Sequence, residues 1–264
     1  MPLEGISVIT EDKYVLCSID AFSDDLKDLI RNELRAICHG KTEVEAFNLS
    51  RYSYKNTLKE FLTRYTPKDE NTKKGMMGEF IAHLVIDKVL PNLKKITILF
   101  NKEELSIRKG FDLTYLEVDG GFIWYGEVKS GELNQEDTPD SKNRSLLHDS
   151  KSGMRDFLTG QRPHLWNSVI TDVSLSLAHD EHKKVKELLD EDLQEIENDG
   201  TKKNAILISV LFHDTQNKVS VENIKNCVVE IASEDIFSDV ILFSIQKSTY
   251  SKIEEFLHEE ANNI

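Results

Sequence analysis

Four residues stand in an order suited to holding a hard cation against a phosphate: Glu79, Asp112, Glu127 and Lys129. Glu127 and Lys129 close the run Gly121-Phe122-Ile123-Trp124-Tyr125-Gly126-Glu127-Val128-Lys129, otherwise apolar enough for a buried strand. Ionised groups there are costly unless paired or bound to a metal. The acid-x-Lys spacing alone carries little. It recurs at Glu11/Lys13, Asp25/Lys27, Asp140/Lys142, Asp149/Lys151 and Glu181/Lys183, where a solvated surface is the plainer reading.

Strand alternation puts Glu127 and Lys129 on one face. The preceding strand reaches theirs through Asp119-Gly120, a favoured two-residue hairpin turn. With Val118 paired to Gly121, counting back sets Asp112 opposite Glu127, the Cβ atoms about 5 Å apart. Two carboxylates so placed repel unless a cation lies between them. A three-residue loop would shift the register and separate them.

Oxygen ligands of this kind suit Mg²⁺, or Mn²⁺ in its place; Mg²⁺ takes one or two protein carboxylates and keeps several waters. Such an ion acidifies a bound water and steadies charge on a phosphate under in-line attack. Lys129 would position or deprotonate that water, burial and a nearby cation lowering its pKa. The plainer alternative is a buried Lys129–Glu127 ion pair. Glu79 lies on a helical stretch, 75–85, at the border of its apolar stripe, where Gly75, Gly78 and Ala82 would let the helix approach a sheet closely.

These residues need elements to carry them. Residues 1–70 read as an N-terminal α+β lobe: a strand at 14–19, a helix capped by Ser23 and ended by Gly40, and a second helical pattern through Leu58, Phe61, Leu62 and Tyr65. Residues 71–264 hold the candidate site. The pattern predicts a helix over 74–90 and strands over 96–100, 111–118 and 122–129. A mobile loop is expected over 131–145, where apolar residues are scarce and Pro139 falls. Helices over 146–158 and 171–198 follow, the latter stopped by Asp199-Gly200, then strands at 205–212 and 240–245 and a last helix over 250–260. Trp124 and Tyr125 read as core. The order implies an α/β core, a mixed β-sheet flanked by helices on both faces.

The net charge of −14 over 264 residues opposes unaided binding to a polyanion. A chain so acidic must gather its cations near the site or borrow affinity from a partner. Arg108, Lys109, Lys142, Arg144, Lys151 and Arg155 flank the candidate site in sequence and are placed to meet phosphates, or are plain surface charge. The acidic helix 187–199 is expected to face a partner or solvent. No apolar run reaches the ~18 residues of a membrane helix, and Met1-Pro2-Leu3-Glu4 lacks the basic flank of a secretory signal, so a cytoplasmic location is expected. Cys17, Cys38 and Cys227 have no metal-ligand spacing and read as buried apolar side chains. His179-Asp180-Glu181-His182 sets two imidazoles a helical turn apart but lacks a third ligand, so a solvated surface is the better reading. Neither a phosphate-binding Gly-Lys-Ser/Thr loop nor a nucleophile-elbow motif is found.

Gly110-Phe111-Asp112 and Gly126-Glu127-Val128-Lys129-Ser130-Gly131, preceded by Gly78-Glu79, resemble the PD-(D/E)xK nuclease superfamily. More narrowly, length, acidity and motif order resemble HamA, the family of nuclease subunits of Hachiman anti-phage defence systems. The motifs span 75–131; the rest matches by layout alone. The resemblance implies a restriction-endonuclease-like core, DNA as substrate, Mg²⁺ as cofactor and an ATP-dependent HamB-like helicase as partner. It maps the metal carboxylates onto Asp112 and Glu127, the helix acid onto Glu79 and the lysine onto Lys129. Phe111 stands where the superfamily's name has proline, and no Gln-x-x-x-Tyr follows the lysine strand, which argues against the exonuclease branch of helicase-nucleases. Two rival readings are a silent nuclease-fold adaptor that binds a helicase, and a nuclease acting on RNA or branched DNA.

Overall fold

A computed structural model describes residues 3–100, 110–159, 163–248 and 250–263. In chain order the elements are β1 (Ile6–Glu11), β2 (Tyr14–Ile19), α1 (Asp24–His39), α2 (Lys41–Ala46), α3 (Tyr54–Tyr65), α4 (Glu70–Val89), β3 (Leu93–Lys95), β4 (Leu113–Glu117) and β5 (Ile123–Glu132). Then come α5 (Pro139–Thr159), α6 (Pro163–Ser176), α7 (His179–Asp199), β6 (Asn204–Phe212), α8 (Val221–Ser233), β7 (Val240–Lys247) and α9 (Ser251–Asn263). The strands form one sheet in the order β1-β2-β7-β6-β5-β4-β3. Its centre, β2-β7-β6-β5, is parallel, and the pairs at both margins are antiparallel. This is the expected α/β fold, a mixed sheet flanked by helices.

Strand alternation builds two cores. Val15, Cys17, Trp124, Val128, Ile206, Ile208, Phe243 and Ile245 point into a layer with the apolar sides of α1, α3, α4 and α9. Tyr14, Leu16, Ile123, Tyr125, Ala205, Leu207 and Leu242 point the other way, under α5, α6, α7 and α8. Strands buried on both faces become near-continuous apolar runs, which is why β6 and β7 are so readable. The first seventy residues are built onto this sheet: β2 pairs with β7, and α1 and α3 join the core that holds α4. Cys17, Cys38 and Cys227 are all buried, burial pushing the Cys17 thiol up to about 12.

Several local expectations shift. Residues 131–145 are not a long loop: β5 continues to Glu132 and α5 begins at Pro139. Proline there is the first helical residue, where its missing N–H is no loss, and Thr138 and Ser141 cap the turn reciprocally (Thr138 Oγ1 accepts from Ser141 N at 3.1 Å, Ser141 Oγ from Thr138 N at 2.9 Å). The strand expected over 96–100 lies instead at Leu93–Lys95. Beyond it the Thr97 hydroxyl, not a neighbouring carbonyl, accepts from Thr114 N at 3.0 Å, which ends the ladder. The helix expected over 171–198 is two, α6 and α7, parted at Leu177-Ala178. Gly200 closes α7 in the left-handed region (φ 63°), as the Asp-Gly signal implied. The strand β1 and the Ser220-capped helix α8 went unread in the sequence.

Candidate active site

The site forms where β4 stops and β5 runs on. The ladder begins at Leu113↔Gly126, so from Glu127 onward β5 keeps β6 on one side and, among the described residues, has no strand on the other. Continuing the register by one residue sets Asp112 opposite Glu127, as the sequence predicted. The route differs from the expected two-residue turn. Glu117 N donates to Phe122 O (2.9 Å) and Gly121 N to Glu117 O (3.0 Å), so residues 118–121 form a four-residue tip. Opening one more pair symmetrically leaves the register unchanged. At the open edge the Asp112 side chain replaces the missing strand: its Oδ2 accepts from Val128 N at 2.8 Å.

Glu127 and Lys129 share the face turned to α5. Glu127 is 3% exposed. Its Oε1 accepts from Lys129 Nζ at 2.6 Å, while Oε2 is buried with no hydrogen-bond partner. Burial first, then the Asp112 charge, pushes the Glu127 carboxyl up to about 8 against the opposing pull of Lys129. Glu79, on α4, is raised well above the usual carboxylate range by burial, then by Asp112 and Glu127, with Lys129 opposing. All four groups therefore feel one another's charge. Burial lowers the Lys129 ammonium, but Glu127, Asp112 and Glu79 outweigh it and the net shift is upward. The downward shift expected from sequence is thus reversed in the chain alone, because its acids act on Lys129 without a competing cation.

Two close approaches fix these parts. On α4, Gly78 packs against β5 so tightly that a Cβ would overlap Ser130 Oγ and stand 2.8 Å from Ser130 Cβ. Gly75 has open space around it and plays no such part. On α5, a Cβ at Gly153 would come within 2.7 Å of Glu127 Oε1. One turn earlier, Ser150 Oγ donates to Glu127 O at 2.7 Å and accepts from Ile208 N at 3.3 Å, holding the backbone under the carboxylate. Gly153 and Ser150 were missed in the sequence. The usable signal was a lone glycine inside a helical stretch, which costs about 1 kcal/mol relative to alanine.

The donor set is all oxygen and suits a hard divalent cation. Among the described residues, no three His, Cys, Asp or Glu side chains are arranged to hold an ion as they stand. Lys129 takes one Glu127 oxygen, and Asp112 Oδ2 is turned to Val128 N. The unpartnered Glu127 Oε2 is the atom that fits a cation, with Asp112 and Glu79 completing the negative charge.

Other candidates fall away or move. Trp124 and Tyr125 are core residues at 6% and 0% exposure, Tyr125 donating to Asp192 at 2.6 Å. In the histidine pair, His182 Nε2 lies 3.0 Å from Leu177 O and Glu181 is paired with Lys94. Arg108 and Lys109 lie outside the described residues. No helix among the described residues is long and apolar enough to cross a membrane.

The model of the HamA family matches residues 6–261, nearly the whole chain. The chain belongs to the HamA family. None of the curated proteins matches it. HamA membership sets the chain in the context of Hachiman defence. The match extends over both cores, so the N-terminal strands and α9 belong to the HamA unit as much as the motif-bearing α4, β4 and β5.

Proposed function

We propose that this HamA protein is a Mg²⁺-dependent deoxyribonuclease, the effector of a Hachiman complex whose ATP-dependent helicase delivers DNA. One observation supports the reading above others: at the open edge of β5, Asp112 and Glu127 face each other beside Lys129, with Glu127 Oε2 buried and unsatisfied. A scaffold has no need of mutually repelling carboxylates at such cost.

Asp112 and Glu127 would hold the ion, with Glu79 adding charge from α4. When bound, Mg²⁺ would acidify a water and neutralise charge on the scissile phosphate. Lys129, released from Glu127 once a cation offsets that charge, would orient the attacking water or steady the phosphate oxygens. Asp112 keeps its place by its bond to Val128 N, and Glu127 is held by α5 at Gly153 and Ser150. The net charge of −14 leaves DNA affinity to the partner and restrains cutting by the free chain.

A catalytically silent adaptor is the second reading, favoured by the 2.6 Å Lys129–Glu127 pair, which gives Lys129 and one Glu127 oxygen a partner without a metal. Plasmid degradation with helicase, ATP and Mg²⁺ separates the two. Cutting by the wild type that disappears in Lys129→Ala and in EDTA is expected. No cutting by the wild type across DNA forms, with Mn²⁺ also tried, would establish the adaptor.

A further inference from the structure

Helix α5 does more than support Glu127. Arg144, His148, Lys151 and Arg155 recur at the spacing of one helical face, on the side turned from Gly153. In a chain with 47 acidic and 33 basic residues, such a stripe on the outer face of the helix that packs against the candidate site is out of keeping with the rest. Its charge is nevertheless cancelled. Arg144 meets Glu230 at 2.6 Å, His148 stands 3.4 Å from the same carboxylate, and Lys151 meets Glu234 at 2.5 Å. Glu230 and Glu234 are one turn apart on α8, so two carboxylates of one helix cover three side chains of another. Arg155, at the end of the stripe, meets its neighbour Asp156 at 3.4 Å.

The stripe and the site are joined through one helix. The helix that carries these cations touches Glu127 through Gly153 and Ser150, and Lys142 lies along Gly131, two residues beyond Lys129. Guanidinium and ammonium groups on one helix face suit a run of phosphates. Carboxylates at hydrogen-bond distance are the nearest protein equivalent of those phosphates. Arg144 is 49% and Glu230 33% exposed at the side chain, and ion pairs so open to water exchange readily.

Resting on the nuclease reading, we propose that the α5 stripe is the DNA-backbone contact of this protein, and that Glu230 and Glu234 cover it in the free chain as phosphate stand-ins. DNA binds by displacing the two carboxylates, so the acids of α8 set a threshold that a weakly held polyanion does not cross.

The test is fluorescence anisotropy of the full chain with a labelled 30-base-pair DNA duplex in EDTA, where no cutting occurs. Glu230→Gln/Glu234→Gln is expected to bind about tenfold tighter than wild type, on the order of the gain from freeing two phosphate contacts. Glu187→Gln/Asp190→Gln on α7, an equal change of net charge elsewhere, is expected to leave binding unchanged. In the Glu230→Gln/Glu234→Gln background, Arg144→Gln/Lys151→Gln/Arg155→Gln should lose the gain and flatten the salt dependence by about 2.7, three contacts at about 0.9 each. Because Lys151 is buried, Glu230→Gln alone, which uncovers half-exposed Arg144 together with His148 and leaves the Lys151–Glu234 pair in place, serves as a second variant expected to bind about threefold tighter. Acid variants that bind no tighter than the α7 control, or a cation variant that binds as tightly as its background, would overturn the proposal. Both readouts are independent of cleavage: loss of the binding effect with Lys129-dependent cutting intact removes the stripe and leaves the nuclease, and the converse removes the nuclease and leaves the stripe.

Discussion

Gly153 on α5 and Glu127 on β5 are in such close contact that a Cβ on the glycine would stand 2.7 Å from Glu127 Oε1, the oxygen that accepts from Lys129. The glycine leaves the carboxylate room that a larger residue at this position would take. A glycine inside a helix is unfavourable by about 1 kcal/mol relative to alanine. Its presence here trades helix stability for room at the site.

Gly153→Ala therefore separates stability from activity. The clash falls on the far end of a flexible side chain, so helix propensity and carboxylate displacement nearly cancel, and thermal unfolding should change by less than about 1 kcal/mol. Nuclease turnover with the helicase present should fall by more than about tenfold, since catalysis is sensitive to small misplacements. Unchanged turnover in a folded variant would remove Glu127 from the mechanism.

Asp112→Asn tests the mutual repulsion of the carboxylates. The amide oxygen still accepts from Val128 N, and only the charge is lost. Glu127 titrates at about 8 when folded against an ordinary value of 4.5. The folded state thus binds more protons between those values, and stability falls as pH climbs through that window. With Asp112 neutral, the Glu127 pKa drops and part of that loss is relieved. Metal-free Asp112→Asn should be about 1 kcal/mol more stable than wild type at pH 8 and indistinguishable at pH 4. Thermal stabilisation by Mg²⁺ or Mn²⁺, expected for the wild type, should vanish in the variant. A variant that still responds to the ion would place the cation elsewhere.

Lys247, at the end of β7, offers a stability prediction away from the site. It is 1% exposed, its Nζ lies 5.4 Å from the Phe22 ring centroid, and burial, with the Lys252 charge, lowers it to about 8. The ordinary value is 10.5, so between pH 8 and 10.5 the unfolded chain holds the extra proton and stability rises with pH. Below pH 8 the folded state carries the full burden of a buried ammonium, at most about 3 kcal/mol. Lys247→Met should unfold about 1–3 kcal/mol harder than wild type at pH 7, the advantage shrinking to nothing near pH 10.5. An advantage that did not shrink with pH would assign it to packing instead of charge.

The candidate site was legible in the sequence as far as local periodicity reaches. Alternation along β5 put Glu127 and Lys129 on one face, and register counting put Asp112 opposite Glu127 even though the hairpin tip holds four residues instead of two. Both follow because a strand has a period of two and antiparallel register depends only on where the turn is centred. Gly78 was likewise legible as a point of close approach. The parallel strands β6 and β7 showed as apolar runs, whereas β1, exposed along nearly its whole length, carried no such signal.

Tertiary structure alone decided the rest. Which helix presses on Glu127, which acids cover the cations of α5 and which way the Lys129 pKa moves all depend on groups far apart in the chain: Gly153 lies 26 residues beyond Glu127, and Glu230 lies 86 beyond Arg144. Charge and packing energies depend on distance and burial in three dimensions, and no periodicity in the sequence encodes either.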